Sequence, residues 1–131
     1  MKTALLTLCF IILNLGLASA IPSETKPTIQ AVSANTTGTN INSRGFTTAT
    51  FHVCCAPFNA TITFKGSVDG TNFYPLGCVP IDSQSALVAT TTIPGIWRCN
   101  VVSLSAVRAD VISYLSGTIT VTVGLTAAGV S

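Results

Sequence analysis

Residues 60–76 read ATITFKGSVDGTNFYPL, and their pattern decides the fold class. Ile62, Phe64 and Val68 alternate with Thr61, Thr63, Lys65 and Ser67, the two-residue period of a strand with one buried face. Asp69-Gly70 is a turn dipeptide whose glycine tolerates positive φ, and Phe73-Tyr74-Pro75-Leu76 restarts a strand, so the stretch forms a β-hairpin. Pro75 has no amide proton to donate, which places the second strand at an edge or a bulge.

The same period extends to both sides. In Phe46 to Cys55, Phe51, Val53 and Cys55 share one face and His52 and Cys54 the other, with Pro57 ending the run. Ala86 to Ile93 is β-prone and stops at Pro94-Gly95. Ile96 to Val102 sets Trp97, Cys99 and Val101 against Arg98 and Asn100. Val107 to Tyr114 sets Val107, Ala109 and Val111 against Arg108, Asp110 and Ile112. After the Ser116-Gly117 turn, Thr118 to Val123 alternates Thr with Ile119, Val121 and Val123. About seven short strands at intervals of about 8 to 15 residues, without helical periodicity, predict an all-β fold. The architecture expected is an antiparallel β-sandwich, immunoglobulin-like or jelly-roll-like, over residues 46–126. Residues 21–45 are rich in Thr, Ser and Asn, with only Thr28 to Val32 strand-like. They read as an extended lead-in or a strand that pairs late. Residues 127–131 read as a flexible tail.

Residues 1–20, MKTALLTLCFIILNLGLASA, have a positive start at Lys2, an apolar stretch and the small-x-small ending Ala18-Ser19-Ala20. This is the pattern of an export signal cleaved after Ala20. The apolar run is short of the roughly 20 residues that span a bilayer and is broken by Asn14 and Gly16, so no membrane span is expected after cleavage. The protein is therefore expected to be secreted.

Charge narrows the function classes. The 131 residues include 6 Lys+Arg and 4 Asp+Glu, only 8% of the chain, while 48% are hydrophobic. Nucleic-acid binding through a cationic patch is excluded by that count, because phosphate contacts need clustered Lys and Arg. An acidic disordered chain is excluded by the abundance of apolar residues. Beyond the signal, Lys26, Arg44, Lys65, Arg98 and Arg108 face Glu24, Asp69, Asp82 and Asp110. Solubility cannot rest on like-charge repulsion, so hydroxyls, amides, glycans or neighbouring subunits must cover the surface.

Cys54, Cys55, Cys78 and Cys99 remain after cleavage. An even number in a short exported chain without CxxC or HxxxH spacing points to disulfides rather than metal ligation. Three pairings exist on paper. Adjacent strand residues leave on opposite faces, which favours distant partners: Cys55 with Cys99 in the core and Cys54 with Cys78 outside it.

The stretch Phe64 to Leu76 resembles a strand-turn-strand of small β-sandwich domains in bacteriophage tail and tail-fibre proteins. Gly95-Ile96-Trp97-Arg98-Cys99-Asn100-Val101, then Leu104 to Arg108 and Tyr114 to Thr122, look like the second half of the same domains. The likeness covers about residues 46–126. It implies the sandwich fold and a non-catalytic structural or surface-binding module, since one sandwich hosts many functions. Ser67-Val68-Asp69-Gly70 followed by aromatics also resembles a turn in discoidin-like carbohydrate-binding sandwiches.

Candidate chemistry is sparse. His52 is the only imidazole, and no nucleophilic triad or metal site is completed around it by any spacing present. Asp69 reads as a turn residue, with calcium coordination by Asp69 and Asn72 the lesser reading. Asp110 shares a strand face with Arg108, an ion pair worth at most about 1 kcal/mol if exposed. Trp97 reads as a core residue beside a cystine. Phe73 and Tyr74 are the candidate exposed aromatics for ligand contact, and Asn35 and Asn59 open N-x-T acceptor sites for glycosylation. No catalytic residue, metal or cofactor is expected. The expected function is a secreted structural protein that forms a homo-oligomer or polymer or joins a larger virion-like extracellular assembly. The alternative is adhesion through glycans or a cell surface.

Overall fold

Threonine alternating with Ile, Val or Phe writes most of the strands, because β-branched and aromatic side chains suit a pleated surface with one buried face. The computed structural model describes residues 23–55, 57–82 and 86–127. The expected signal at 1–20 lies outside the described residues, as does the expected tail apart from Ala127. Among the described residues, eleven strands follow in chain order: β1 Ser23–Val32, β2 Thr36–Thr37, β3 Ile41–Asn42, β4 Thr48–Cys54, β5 Asn59–Ser67, β6 Tyr74–Pro75, β7 Cys78–Pro80, β8 Thr90–Thr91, β9 Gly95–Asn100, β10 Ala106–Ser116 and β11 Ile119–Thr126. A five-stranded sheet has the order β1-β11-β4-β9-β7. A six-stranded sheet has the order β2-β10-β5-β6, with β3 also on β10 and β8 also on β5. All pairings are antiparallel. The fold is an antiparallel β-sandwich.

The core lies between the inner faces. Phe51, Val53, Trp97, Cys99, Val121, Val123 and Leu125 come from the first sheet, and Ile62, Phe64, Val107, Ala109 and Val111 from the second. Phe64 bridges the two layers, with its ring centroid 4.8 Å from Phe51 and 5.6 Å from Trp97. Each large side chain removed from water here contributes about 1.5 to 3 kcal/mol. Trp97 is thus the core residue its parity with Cys99 and Val101 predicts.

Several expectations change. Of the two readings of segment 21–45, the strand that pairs late is the one observed: β1 pairs along β11, the last strand, and β2 and β3 pair with β10, so the sandwich begins before residue 46. Polar composition hid the part of β1 before Thr28, because this edge strand has little buried surface. Ala86 to Ile93 yields only the two-residue β8 and a bridge from Val88 to Cys78. Thr91 Oγ1 turns the chain there, donating to the Ile93 carbonyl and accepting from the Ile93 amide. An unforeseen strand, β7, pairs with β9 instead. Val68, in phase with Ile62 and Phe64, lies beyond the end of β5 and is exposed. As Pro75 implied, β6 is a terminal strand of its sheet.

The disulfide pairing also differs. Cys78 lies opposite Cys99 across β7 and β9, with their Cα atoms 4.4 Å apart, and the two are joined. Cys54 and Cys55 pair with each other across a cis peptide bond. Register explains why neither reaches Cys99. Cys99 stands opposite Ala49, and Cys54 and Cys55 lie farther along the chain by about 17 to 20 Å at about 3.3 Å per residue. A disulfide needs Cα atoms within about 7 Å.

Candidate functional site

The turn joining β5 to β6 is built around one carboxylate. Asp69 Oδ1 accepts the amides of Thr71 and Asn72, each at 2.8 Å, and the Ser67 hydroxyl at 2.9 Å. Asn72 Nδ2 donates to Oδ2 at 2.7 Å, and the Gly70 amide donates to Ser67 Oγ at 2.8 Å. Gly70 takes φ +80, which a side chain would resist. These donors, the Asn72 amide first and the Thr71 amide next, hold the Asp69 carboxyl well below the ordinary carboxylate range. Asp69 thus has the turn role its sequence context predicts.

The turn presents the two candidate aromatics differently. Tyr74 is 69% exposed and lines a cleft of about 450 Å³ with Val68, Pro75, Leu76, Leu104, Asp69 and Asn72. Phe73, expected to be exposed as well, is half-buried, with the Arg108 guanidinium 4.2 Å above its ring. That cation–π contact takes the face a ligand would need.

Arg108 belongs to a charged cluster that is more enclosed than its spacing suggested. Asp110 is only 5% exposed. Its Oδ2 lies 3.1 Å from Lys65 Nζ and 3.4 Å from Arg108 Nη2, which donates to it. Its Oδ1 accepts the Gly38 amide at 3.0 Å. Arg108 Nε is 3.0 Å from Oδ1, but its N–H is not aimed at the carboxylate. The ion pair expected between Arg108 and Asp110 is present, but its carboxylate is buried between two cations, because β5 brings Lys65 to one side of β10 and the residue after β2, Gly38, covers it from the other.

The remaining candidates are scattered. Asn35 is exposed and its Oδ1 accepts the Tyr114 amide at 2.8 Å, and Asn59 is exposed at the start of β5. His52 is exposed on the outer face of β4. The structure does not bring these residues together.

A second concavity was missed by sequence reasoning. A groove of about 520 Å³ runs along the β7 edge of the five-stranded sheet, lined by Val79, Pro80, Ile81, Leu87, Val102 and Arg98 among others. Its residues come from four separate stretches, and β7 itself was not foreseen. The apolar run Leu76 to Ile81 was the only signal for it.

No family model matches this chain, and no curated protein matches it in sequence. Among solved structures it is similar to the SPBc2 prophage-derived protein YomS, with a TM-score of 0.76 and 15% identity, over 82% of this chain and 96% of that one. It is also similar to the PBSX exported protein XepA, with a TM-score of 0.76 and 17% identity, over 82% of this chain but 39% of that one. At such identities the likeness shows the fold: the chain shares its two-sheet sandwich with phage-derived proteins.

Proposed function

We propose that the chain is an exported, non-catalytic β-sandwich subunit that packs with copies of itself or with a larger tail- or virion-like surface structure. The observation that carries this reading is the composition of the surface. Val68, Tyr74, Leu87, Ile93, Val102 and Leu115 are each more than half exposed, on a chain with 8% charged residues. Leu87 and Val102 line one concavity and Val68 and Tyr74 another, and exposed apolar side chains gathered in this way favour contact over isolation. The shared fold with two phage-derived proteins, one of them named as exported, supports the same reading. Light scattering on the purified protein tests it: the mass is expected to exceed that of one chain and to rise with concentration. A single-chain mass up to millimolar concentration would count against it.

The cleft at Tyr74 favours a second reading, a carbohydrate-binding module. An exposed ring beside an ionised Asp69 and the Asn72 amide offers a stacking face and polar groups for sugar hydroxyls. Binding on a glycan array that disappears in Tyr74→Ala supports this reading. A blank array removes it.

A further inference from the structure

The two faces of the six-stranded sheet divide the charge around the Asp69 turn. Successive strand residues point to opposite faces. On one face Lys65 stands opposite Arg108, both bind Asp110, and Arg108 covers the Phe73 ring. On the other face Gly66 stands opposite Tyr74, and both line the cleft with Val68, Leu76 and Leu104. Leu104 reaches over Gly66, where a Cβ would lie 2.8 Å from its Cδ1, and so walls the cleft. The cations of β5 and β10 are thus turned away and already paired, and Asp69 is the one charged residue lining the cleft.

The amides of the turn are already engaged. Those of Thr71 and Asn72 donate to Asp69 Oδ1, that of Gly70 donates to Ser67 Oγ, and Asn72 Nδ2 donates to Asp69 Oδ2. What remains on Asp69 and Asn72 is acceptor capacity: the unused lone pairs of an ionised carboxylate and Asn72 Oδ1. A phosphate, sulfate or carboxylate entering the cleft would meet a negative charge with no cation beside it. A protonated amine would find its counter-charge there.

We propose that the Tyr74 cleft binds amino sugars, hexoses bearing an unacetylated, protonated amine, an inference that rests on the carbohydrate reading above. The C–H face of the sugar lies on the exposed Tyr74 ring, its amine meets the Asp69 carboxylate, and a hydroxyl donates to Asn72 Oδ1.

Isothermal titration of the full chain with a β-1,4-linked glucosamine tetramer and with its fully N-acetylated counterpart tests this, at about pH 6, where the free amines are protonated. The tetramer with free amines is expected to bind about tenfold more tightly, the scale of one charge-assisted hydrogen bond. The chain as a whole carries a net charge of +2, so bulk attraction cannot supply that preference. Asp69→Asn is expected to bring the two dissociation constants to within about twofold of each other, and Tyr74→Ala to weaken both at least about threefold. Tyr74 is exposed and takes no part in the hydrogen bonds of the turn, so Tyr74→Ala reads the site even where Asp69→Asn disturbs the turn. An unchanged thermal midpoint verifies that it folds. Equal binding of the two tetramers by the wild type, or a preference that survives Asp69→Asn, overturns the inference and leaves the carbohydrate reading standing. Binding of neither tetramer also overturns it, and a blank glycan array besides removes the carbohydrate reading as well.

Discussion

Asp110 shows what a single buried charge demands of its neighbours. Its carboxylate is held by Lys65, Arg108 and the Gly38 amide, so truncating it strands two cations in a half-buried site. Asp110→Ala is expected to cost about 3 to 5 kcal/mol in urea unfolding, and a loss below about 1 kcal/mol would show the cluster to be solvated. That Arg108 and Asp110 share a face was legible from their spacing. Their burial was not, because the covering residue Gly38 is remote in sequence. Asp69 is a different case, exposed and tied to its own turn. Its folded carboxyl is more acidic than the ordinary value of 3.8. The stability it adds is therefore fully present above the unfolded value and is lost as pH falls through that value toward the folded one. The difference in thermal midpoint between wild type and Asp69→Asn is expected to hold steady from pH 7 to about 5 and to shrink toward pH 2. A gap that stays constant to pH 2 would contradict the turn's dependence on the ionised carboxylate. The Asp69-Gly70 turn was legible because Asp and Gly act locally. The stacking of Arg108 on Phe73 was not, since it joins residues from different strands.

At the scale of elements, β1, β2 and β10 are locked by a backbone approach that only glycine allows. Thr28, at the first register break in β1, donates from Oγ1 to the Thr39 carbonyl at 2.8 Å and accepts the Ala109 amide at 3.2 Å, tying one sheet to the other. A Cβ on Gly38 would stand 1.9 Å from the Ala109 carbonyl oxygen and 2.6 Å from Thr28 Oγ1. Gly38→Ala is expected to cost at least about 3 kcal/mol, since the clash is with backbone and the structure must shift to relieve it. In a domain of this size that lowers the thermal midpoint by more than about 10 °C, and a shift of a degree or two would refute the close approach. The long strands β4, β5, β9, β10 and β11 were legible because alternate burial imprints itself on sequence. β2, β3 and β7 have two or three residues each, too few to show a period, whereas β6, just as short, was legible from the Asp69-Gly70 turn before it. β1 hid among hydroxyl and amide side chains because only Thr28 and Ile29 are fully covered.

At the scale of the molecule, the sandwich closes its N-terminal segment onto its own sheets, so the proposed packing between copies does not need that segment to enter a neighbour's sheet. The Cys78–Cys99 bond pins β7 to β9, closing a loop of sequence separation 21. On the chain-entropy model it contributes about 3 kcal/mol, so the double variant Cys78→Ala/Cys99→Ala is expected to lose about that much in denaturant unfolding. An unchanged midpoint would mean the bond is absent. Two-layer architecture could be read from periodicity, whereas the groove could not, because it is assembled from segments that only the strand order β4-β9-β7 brings together. Hydrogen-exchange mass spectrometry, comparing dilute with concentrated protein, tests the proposed packing between copies most directly. Added protection at high concentration is expected in the segments that bear the exposed apolar side chains, such as Val68 to Tyr74, Leu87 to Ile93 and Val102, with the paired β1 edge unchanged. No added protection anywhere would contradict it.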